Sequence, residues 1–370
     1  MRRVVAAGLV VLAVAACSAE QSPVPPPEPA PTPPTSVAPT TPAPPQPTGR
    51  DREPITIAVA GDVHFEGVLG ERLRDPETAL APATTTLAAA DLAIVNLETS
   101  IGRGGRAEPG QRYAFQAPPT AIAALVEGGI DVVSMANNHA VDFGRAALDD
   151  TFAAFDDTPL AVVGLGRDAD EAFRPAVVEV GDTTVATLGA SIADTDPTAD
   201  PSGQTAATGT RAGTADAIDP TRLLRAVGLA DTTADVVVAY LHWGVQGEAC
   251  PDGRQRALAR RLVDAGADLV VGSHAHRLQG DGRLGPGYVA YGLGNYAWYT
   301  QDGVSAETGV LTLTVRPPGA DGRARVTDAR WSPARIGADG LPAPLPNRDL
   351  AAFASTRSEL RACAGLVPGP

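Results

Sequence analysis

Residues 55–65 read Ile55-Thr56-Ile57-Ala58-Val59-Ala60-Gly61-Asp62-Val63-His64-Phe65. The first six form an apolar, β-rich run, the kind of strand that is buried on both faces of a sheet. It ends in a glycine, an aspartate and a histidine. Runs of the same character recur at Leu92–Asn96, Ile130–Ala136, Ala161–Gly164, Thr184–Gly189, Asp235–Leu241 and Asp268–Gly272. Between several of them lie alanine- and leucine-rich stretches of helical pattern: Glu77–Ala90, Thr120–Gly128, Arg145–Phe155, Pro220–Leu229 and Gly253–Ala265. Asp219-Pro220 marks one helix start, with aspartate as cap and proline in the first turn. Strand–helix alternation on this scale implies a layered α/β architecture. Three later strands, Tyr288–Gly292, Gly309–Val315 and Ala324–Arg330, have no helix between them and are expected to run antiparallel. The polar segment Ala190–Thr214 reads as a long loop, and Arg348–Cys363 as a C-terminal helix.

All five histidines of the chain follow a predicted strand. They are His64 in GDVHF, His139 in NNHAVDFG, His242 in LHWG, and His274 and His276 in GSHAH, with Asp62, Glu98 and Asn138 beside them. Distant segments of a layered α/β protein converge where strands end in loops. The pattern therefore gathers imidazoles and carboxylates at one sheet edge, and these are ligands of Zn, Mn and Fe. In extended chain, residues i and i+2 point the same way, so Asp62 with His64, and His274 with His276, are each expected to reach one metal. A single DxH or HxH arises often by chance, but several, each after its own strand, reverse those odds. Asn96 and Asn295 read as loop-fixing amides, and Trp243 and Tyr296 as walls of the cleft.

The N-terminus is not globular. Arg2 and Arg3 precede the apolar run Val4 to Ala16, which ends at Val14-Ala15-Ala16-Cys17. This reads as a secretory signal, too short for a membrane-spanning helix. Cys17 after two alanines looks like a lipobox, so residues 1–17 read as a lipoprotein signal segment, implying cleavage before Cys17, a lipid on its thiol and an extracytoplasmic domain tethered to the outer face of the cytoplasmic membrane. An ordinary signal peptide with an incidental cysteine is the alternative. Residues 18–53, dominated by Pro, Thr and Ala, read as a disordered spacer. Residues 54–340 then make one domain, and 341–370 a helix and tail. A net charge of −14 and no basic stripe argue against a nucleic-acid partner. The chain contains no lysine, which excludes a P-loop or a Schiff base. With Cys17 lipidated, Cys250 and Cys363 remain in an oxidising compartment, where a disulfide is expected, the alternative being two separate buried thiols.

The ordered set GDVHF, NLETSIG, YAFQAPP, NNHAVDFG, LHWG, GSHAHRLQG and YGLGNY, spanning about residues 55–298, resembles the CapA family of poly-γ-glutamate capsule-synthesis proteins. That family lies within the calcineurin-like metallophosphoesterase superfamily. The resemblance implies a four-layer α/β/β/α sandwich with a two-metal centre. It assigns Asp62, His64 and His276 to one metal, and Asn138, His242 and His274 to the other. Glu98 stands where the superfamily has a bridging aspartate, a longer arm that fits the CapA subgroup. His139 matches the histidine that protonates the leaving oxygen. Asp142, three residues on, has two readings: it orients that imidazole and raises its basicity, or it caps a helix ahead of Arg145.

Two functions follow. One is a membrane-tethered phosphoester hydrolase using two divalent transition-metal ions (Mn, Fe or Zn), since mixed O/N ligands suit these better than Ca or Mg. The other is a non-enzymatic scaffold or polymer-binding component, partnered with capsule or polyglutamate synthesis proteins. His139 discriminates: a structural site has no use for an acid beside its metals.

Overall fold

The computed structural model describes residues 52–156, 158–197, 205–299, 302–319 and 322–369. The leader, Cys17 and the proline-rich segment as far as Asp51 lie outside the described residues. The chain forms β1 (Ile55–Val63), α1 (Val68–Arg72), α2 (Thr85–Ala88), β2 (Leu92–Leu97), β3 (Ser100–Ile101), β4 (Gln116–Ala117), α3 (Thr120–Glu127), β5 (Val132–Ser134), α4 (Leu148–Asp156), β6 (Ala161–Val163) and β7 (Leu165–Gly166). It continues through α5 (Ala169–Ala172), β8 (Ala176–Val180), β9 (Thr183–Ser191), β10 (Gly213–Thr214), α6 (Thr221–Ala230), β11 (Val236–His242), α7 (Gly253–Ala265) and β12 (Leu269–Ser273). The last elements are β13 (Asp281–Leu284), β14 (Gly287–Ala290), β15 (Asn295–Ala297), β16 (Glu307–Arg316), β17 (Arg325–Ile336), β18 (Pro342–Pro344) and α8 (Leu350–Ala364).

Two large sheets result, one ordered β18-β17-β16-β1-β2-β5-β6 with β15 also on β1, the other β13-β14-β12-β11-β9-β8. The strands β1, β2, β5 and β6 run parallel, with β15 also parallel to β1, as do β9, β11, β12 and β14; β16, β17 and β18 in the first sheet and β13 and β8 in the second pair antiparallel. Alternation along each strand sorts side chains into three apolar cores. Ile57 and Val59 of β1 face Val238 and Tyr240 of β11 and Val271 of β12 between the sheets. Ala58 and Ala60 face outward onto Leu125 of α3 and Phe152 of α4. On the far side, Val237, Ala239 and Leu241 pack against Val227 of α6 and Leu262 of α7. Three cores between four layers make an α/β/β/α sandwich. Truncating a side chain such as Ile94, which is fully buried between the sheets, would cost about 2–5 kcal/mol.

Local chemistry explains most element ends. Asp252 and Gln255 form a reciprocal capping box at the start of α7, satisfying two otherwise orphaned N–H groups. The expected helix over Glu77–Ala90 shrinks to α2, because Pro82 lacks an N–H and breaks the pattern. The expected antiparallel strand near Tyr288–Gly292 is antiparallel only to β13; β14 runs parallel to β12. The connection from β12 back to β14 is long enough to cross over, and periodicity carries no direction. The segment read as a loop over Ala190–Thr214 holds the end of β9 and the short β10. At the start of α6 the Asp219 side chain accepts from Thr221, and Pro220 occupies the cap position itself.

Residues 341–369 belong to the same body. β18 pairs with β17, and Arg357 and Arg361 of α8 hold Asp281 of β13. Cys250 and Cys363 are disulfide-bonded with Cα atoms 5.7 Å apart across 113 residues. Cys363→Ser is expected to lower stability by about 2–5 kcal/mol, measured by denaturant unfolding; an unchanged midpoint would deny the strap any role.

Asp268 gives a second test. Burial, against the hydrogen bond from Val237 N–H, pushes its carboxyl up to about 7. The folded state thus holds a proton that the unfolded chain releases near pH ~4, so this stability is present below that pH and lost as pH rises through the folded value. Asp268→Asn should flatten that part of the decline in melting temperature between about pH 4 and pH 7. A variant that loses stability with pH in parallel with the parent would refute this assignment.

Candidate metal centre

Both sheets deliver side chains to the edge where their parallel strands end. Asp62 lies near the end of β1, where the ladders to β2 and β15 shift register. Such irregularities re-aim side chains. Gly61 permits this, because a Cβ there would lie 1.7 Å from the carbonyl oxygen of Gly294. Glu98 follows β2, Asn138 and His139 follow β5, His242 ends β11, and His274 and His276 follow β12. The last two adopt positive φ, 90° and 52°, uncommon for residues with a side chain and a form of strain that concentrates at functional sites.

The side chains meet in a buried cluster. Ligand atoms of Asp62, Glu98 and His242 lie within 4.8 Å of one another, and all three residues are buried. Glu98 Oε1 has three imidazole Nε2 atoms around it, of His242 at 3.6 Å, His139 at 3.8 Å and His276 at 3.9 Å. His276 Nδ1 lies 3.4 Å from Asp62 Oδ2. His242 Nε2 lies 2.8 Å from Asn138 Oδ1 and 3.0 Å from His274 Nδ1. Burial, reinforced by Asp62, pushes the Glu98 carboxyl well above the usual range. Burial would raise Asp62 too, but hydrogen bonds with His276, Asn96 and Ser273 hold it below its ordinary value. Burial lowers His64, His242 and His274, with neighbouring imidazoles adding to the effect. Neutral rings are the ligand form of histidine.

These residues fit a metal ion. Glu98 Oε1 is buried without a hydrogen-bond partner, a state that costs several kcal/mol for a carboxylate unless a cation compensates. An Asp62 carboxylate oxygen and the His242 imidazole lie beside that atom, and the Asn138 amide oxygen stands 2.8 Å from His242 Nε2, which makes a mixed O/N donor set.

Beside the cluster, His139 Nδ1 lies 2.6 Å from Asp142 Oδ2. Asp142 also accepts from Phe115 N–H at 2.7 Å and Gln111 Nε2 at 3.0 Å. It caps no helix: Gly144 occupies the cap position ahead of Arg145. His139 opens on a cavity of about 450 Å³ walled by Tyr113, Phe115, Trp298 and Tyr299.

Six of the seven expected ligands, Asp62, Glu98, Asn138, His242, His274 and His276, touch within one network. His64 does not. Its ring packs 4.0 Å from Trp298, its Nδ1 accepts from Glu66 N–H, and no hydrogen bond or ion pair joins it to Asp62 or Glu98 among the described residues. The regular pleat ends at the register shift beside Val63, so the i, i+2 alternation does not carry through to His64. His274 and His276 share the site from a left-handed turn rather than from extended chain.

Trp243 and Tyr296 do not wall the cleft. Trp243 is buried beneath the second sheet, donating to Tyr291 O at 2.7 Å, and the Tyr296 hydroxyl donates to Ala83 O. Asn96 and Asn295 do more than fix loops. Asn96 Nδ2 reaches Asp62 Oδ1 at 2.9 Å and Glu98 Oε2 at 3.3 Å, and Asn295 Oδ1 lies 2.9 Å from His276 Nδ1. The sequence reading missed Asp196, 3.1 Å from His274 Nε2 and bonded to Gln246 N–H. It lies just past the end of β9, so the strand-exit rule that found the histidines would have found it.

Fold and cluster together define a four-layer α/β protein with a buried carboxylate–imidazole centre at its strand-exit edge. Residues 56–299 match the model of the bacterial capsule synthesis protein family PGA_cap, and the chain belongs to that family. It is 34% identical over 184 residues to the capsule biosynthesis protein CapA of Bacillus anthracis, covering 48% of this chain and 42% of that protein. It is 33% identical over 195 residues to a probable polyglutamine synthesis accessory protein of Mycobacterium tuberculosis, covering 51% of this chain and 50% of the relative. The chain thus spans about half the length of the curated relatives it matches. Among solved structures it is similar to a phosphatase of Mycoplasma pneumoniae, with TM-score 0.47 and 14% identity over 81% of this chain and 97% of that one. It is also similar to a putative 5'-nucleotidase of Staphylococcus aureus, with TM-score 0.45 and 16% identity over 84% of this chain and 58% of that one.

Stripping metal with a chelator and restoring Mn or Zn at a hundredfold excess over its dissociation constant should stabilise the protein by about 2.7 kcal/mol. The increment should vanish in Glu98→Ala. An identical melting temperature with and without each ion would refute metal binding by the cluster.

Proposed function

We propose that this chain is a metal-dependent phosphoester hydrolase of the cell envelope, lipid-anchored through Cys17 and acting in capsule or polyglutamate biogenesis. The observation that carries the reading is the His139–Asp142 pair, with Nδ1 2.6 Å from a buried carboxylate and Nε2 3.8 Å from Glu98 at the mouth of the cavity. A purely structural cluster gives no reason to orient an imidazole in that way.

Asp62, Glu98, Asn138, His242, His274 and His276 would hold two divalent ions of the Mn, Fe or Zn type, with His64 joining from the aromatic wall. Such ions supply positive charge for a phosphoryl group and lower the pKa of water towards neutrality. The protein's own part is orientation and proton delivery. Asp142 fixes the His139 ring through Nδ1, which leaves Nε2 to donate a proton to the departing alkoxide. Asn295 turns His276 and Asp196 turns His274 towards the cluster, as carboxylate and amide partners do for ligating histidines. Phe115, Trp298 and Tyr299 give the leaving group an apolar wall. The envelope location rests on the leader sequence, and the biogenesis role on the family.

His139→Ala should keep its metal content by elemental analysis and lose about 10²–10⁴-fold in hydrolysis of alkyl phosphoesters. The loss should be smaller for aryl esters, whose leaving groups need little protonation. Metal loss in that variant would make His139 a ligand instead, and no hydrolysis by the parent of any phosphoester tried would leave the scaffold role.

A further inference from the structure

The segment between β3 and β4 is exposed over residues 103–110, yet its second half reaches in to the candidate metal centre. The point of contact is Asp142, which is fully buried. Its two carboxylate oxygens have different partners. Oδ2 lies 2.6 Å from His139 Nδ1 and accepts from Phe115 N–H at 2.7 Å, while Oδ1 accepts from Gln111 Nε2 at 3.0 Å. The backbone carbonyl of Asp142 accepts from Glu108 N–H at 2.8 Å, and that of Phe143 from Arg106 N–H at 3.3 Å. Tyr113 and Phe115 of the same segment wall the cavity onto which His139 opens.

Phe115 and Gln111 hold the carboxylate in different ways. Phe115 is fixed independently of Asp142, since its carbonyl oxygen accepts from the N–H of Ser100 at 3.2 Å and from the Ser100 hydroxyl at 2.8 Å. Gln111 is oriented by the carboxylate itself. Only its N–H side can face an acceptor, and its Oε1 is left buried with no hydrogen-bond partner among the described residues. A buried acceptor without a partner costs about 1–3 kcal/mol. Turning the amide over would set that oxygen against Asp142. An apolar side chain of the same length would fill the space without stranding an oxygen, so packing alone does not account for a glutamine here.

We propose that Gln111 is a positioning residue: by holding Asp142 Oδ1 it stops the carboxylate turning, and so keeps the His139 ring aimed at the departing group. The inference rests on the reading of His139 as the proton donor. The Cβ–Cγ torsion of an aspartate is soft, and a carboxylate held through Oδ2 alone keeps freedom to swing. A donor on each oxygen removes that freedom. The bond from His139 Nδ1 to that carboxylate is what leaves Nε2 facing the substrate. One segment therefore sets both the cavity wall and the proton donor, and a leaving group seated against Tyr113 and Phe115 meets a ring already oriented.

Gln111→Met keeps the length of the side chain and removes the donor. In the zinc-loaded full chain it should lower kcat for alkyl phosphoesters about tenfold, with a smaller fall for aryl esters and with KM and zinc content as in the parent. Gln111→Glu, which sets a second carboxylate against Asp142, should fall at least as far. A glutamine that only braces the loop would instead lower the melting temperature and affect alkyl and aryl esters alike. A second measurement needs no turnover. In protein carrying isotope-labelled histidine, the Nδ1–H proton resonance of His139, identified by its loss in His139→Ala, should move upfield or broaden in Gln111→Met while the other imidazole resonances stay in place. That shift in a chain that hydrolyses no phosphoester would uphold the grip of Gln111 on His139 and sink the hydrolase reading alone. Hydrolysis by the parent with alkyl rates unchanged in both variants, or a His139 resonance unmoved by Gln111→Met, would overturn the inference.

Discussion

One hydrogen bond pins the two sheets where it matters most. The Tyr240 hydroxyl crosses the core between the sheets to donate to Ala60 O at 2.8 Å, with Tyr240 fully buried. Two residues further along each strand stand His242 and Asp62. An error of an ångström between the sheets would part the imidazoles of the second from the carboxylates of the first. The bond therefore sets the spacing on which the cluster depends, and the large apolar faces around it hold that spacing fixed. A buried tyrosine hydroxyl without a partner would be costly, so the same bond also favours a single sheet-to-sheet register.

Given that spacing, the remaining problem is to hold two carboxylates side by side away from water. The Asn96 amide does part of it, reaching both Asp62 and Glu98 from one nitrogen, while its oxygen accepts from Asn137 Nδ2 at 3.1 Å. That last bond fixes which way the amide points. Asn137 in turn donates to Leu97 O, tying the loop after β5 to the last residue of β2. The acid pair is thus supported from three strands of one sheet before any histidine of the other sheet is counted.

The histidines, carboxylates and layered class were legible because they obey rules of short range. Apolar runs show strands, and polar residues just past them mark the edge of a parallel sheet. What escaped depends on information that local pattern does not carry. β14 repeats no signal that distinguishes parallel from antiparallel pairing. Trp243 sits in a motif yet turns inward, because Gly272 leaves its ring the space: a Cβ there would lie 2.1 Å from Trp243 Nε1. Tyr296, likewise next to a site residue, points to the opposite face, as strand alternation requires. Phe115 and Trp298 share a wall only because the residue before β4 and the residue after β15 meet in space, their rings 5.8 Å apart. Asp142 shows the intermediate case. Its spacing from His139 allowed either an ion pair or a helix cap, and Gly144 at the cap position decides between them.

Strand polarity also divides the chemistry of the molecule. Because the central strands of both sheets run parallel, every loop that follows a strand emerges at one edge, and every loop that leads into one emerges at the other. The first edge collects the histidines, Asp62 and Glu98; the second collects Arg283, Arg323 and Arg325. The packed core between the two edges keeps their side chains in fixed relation.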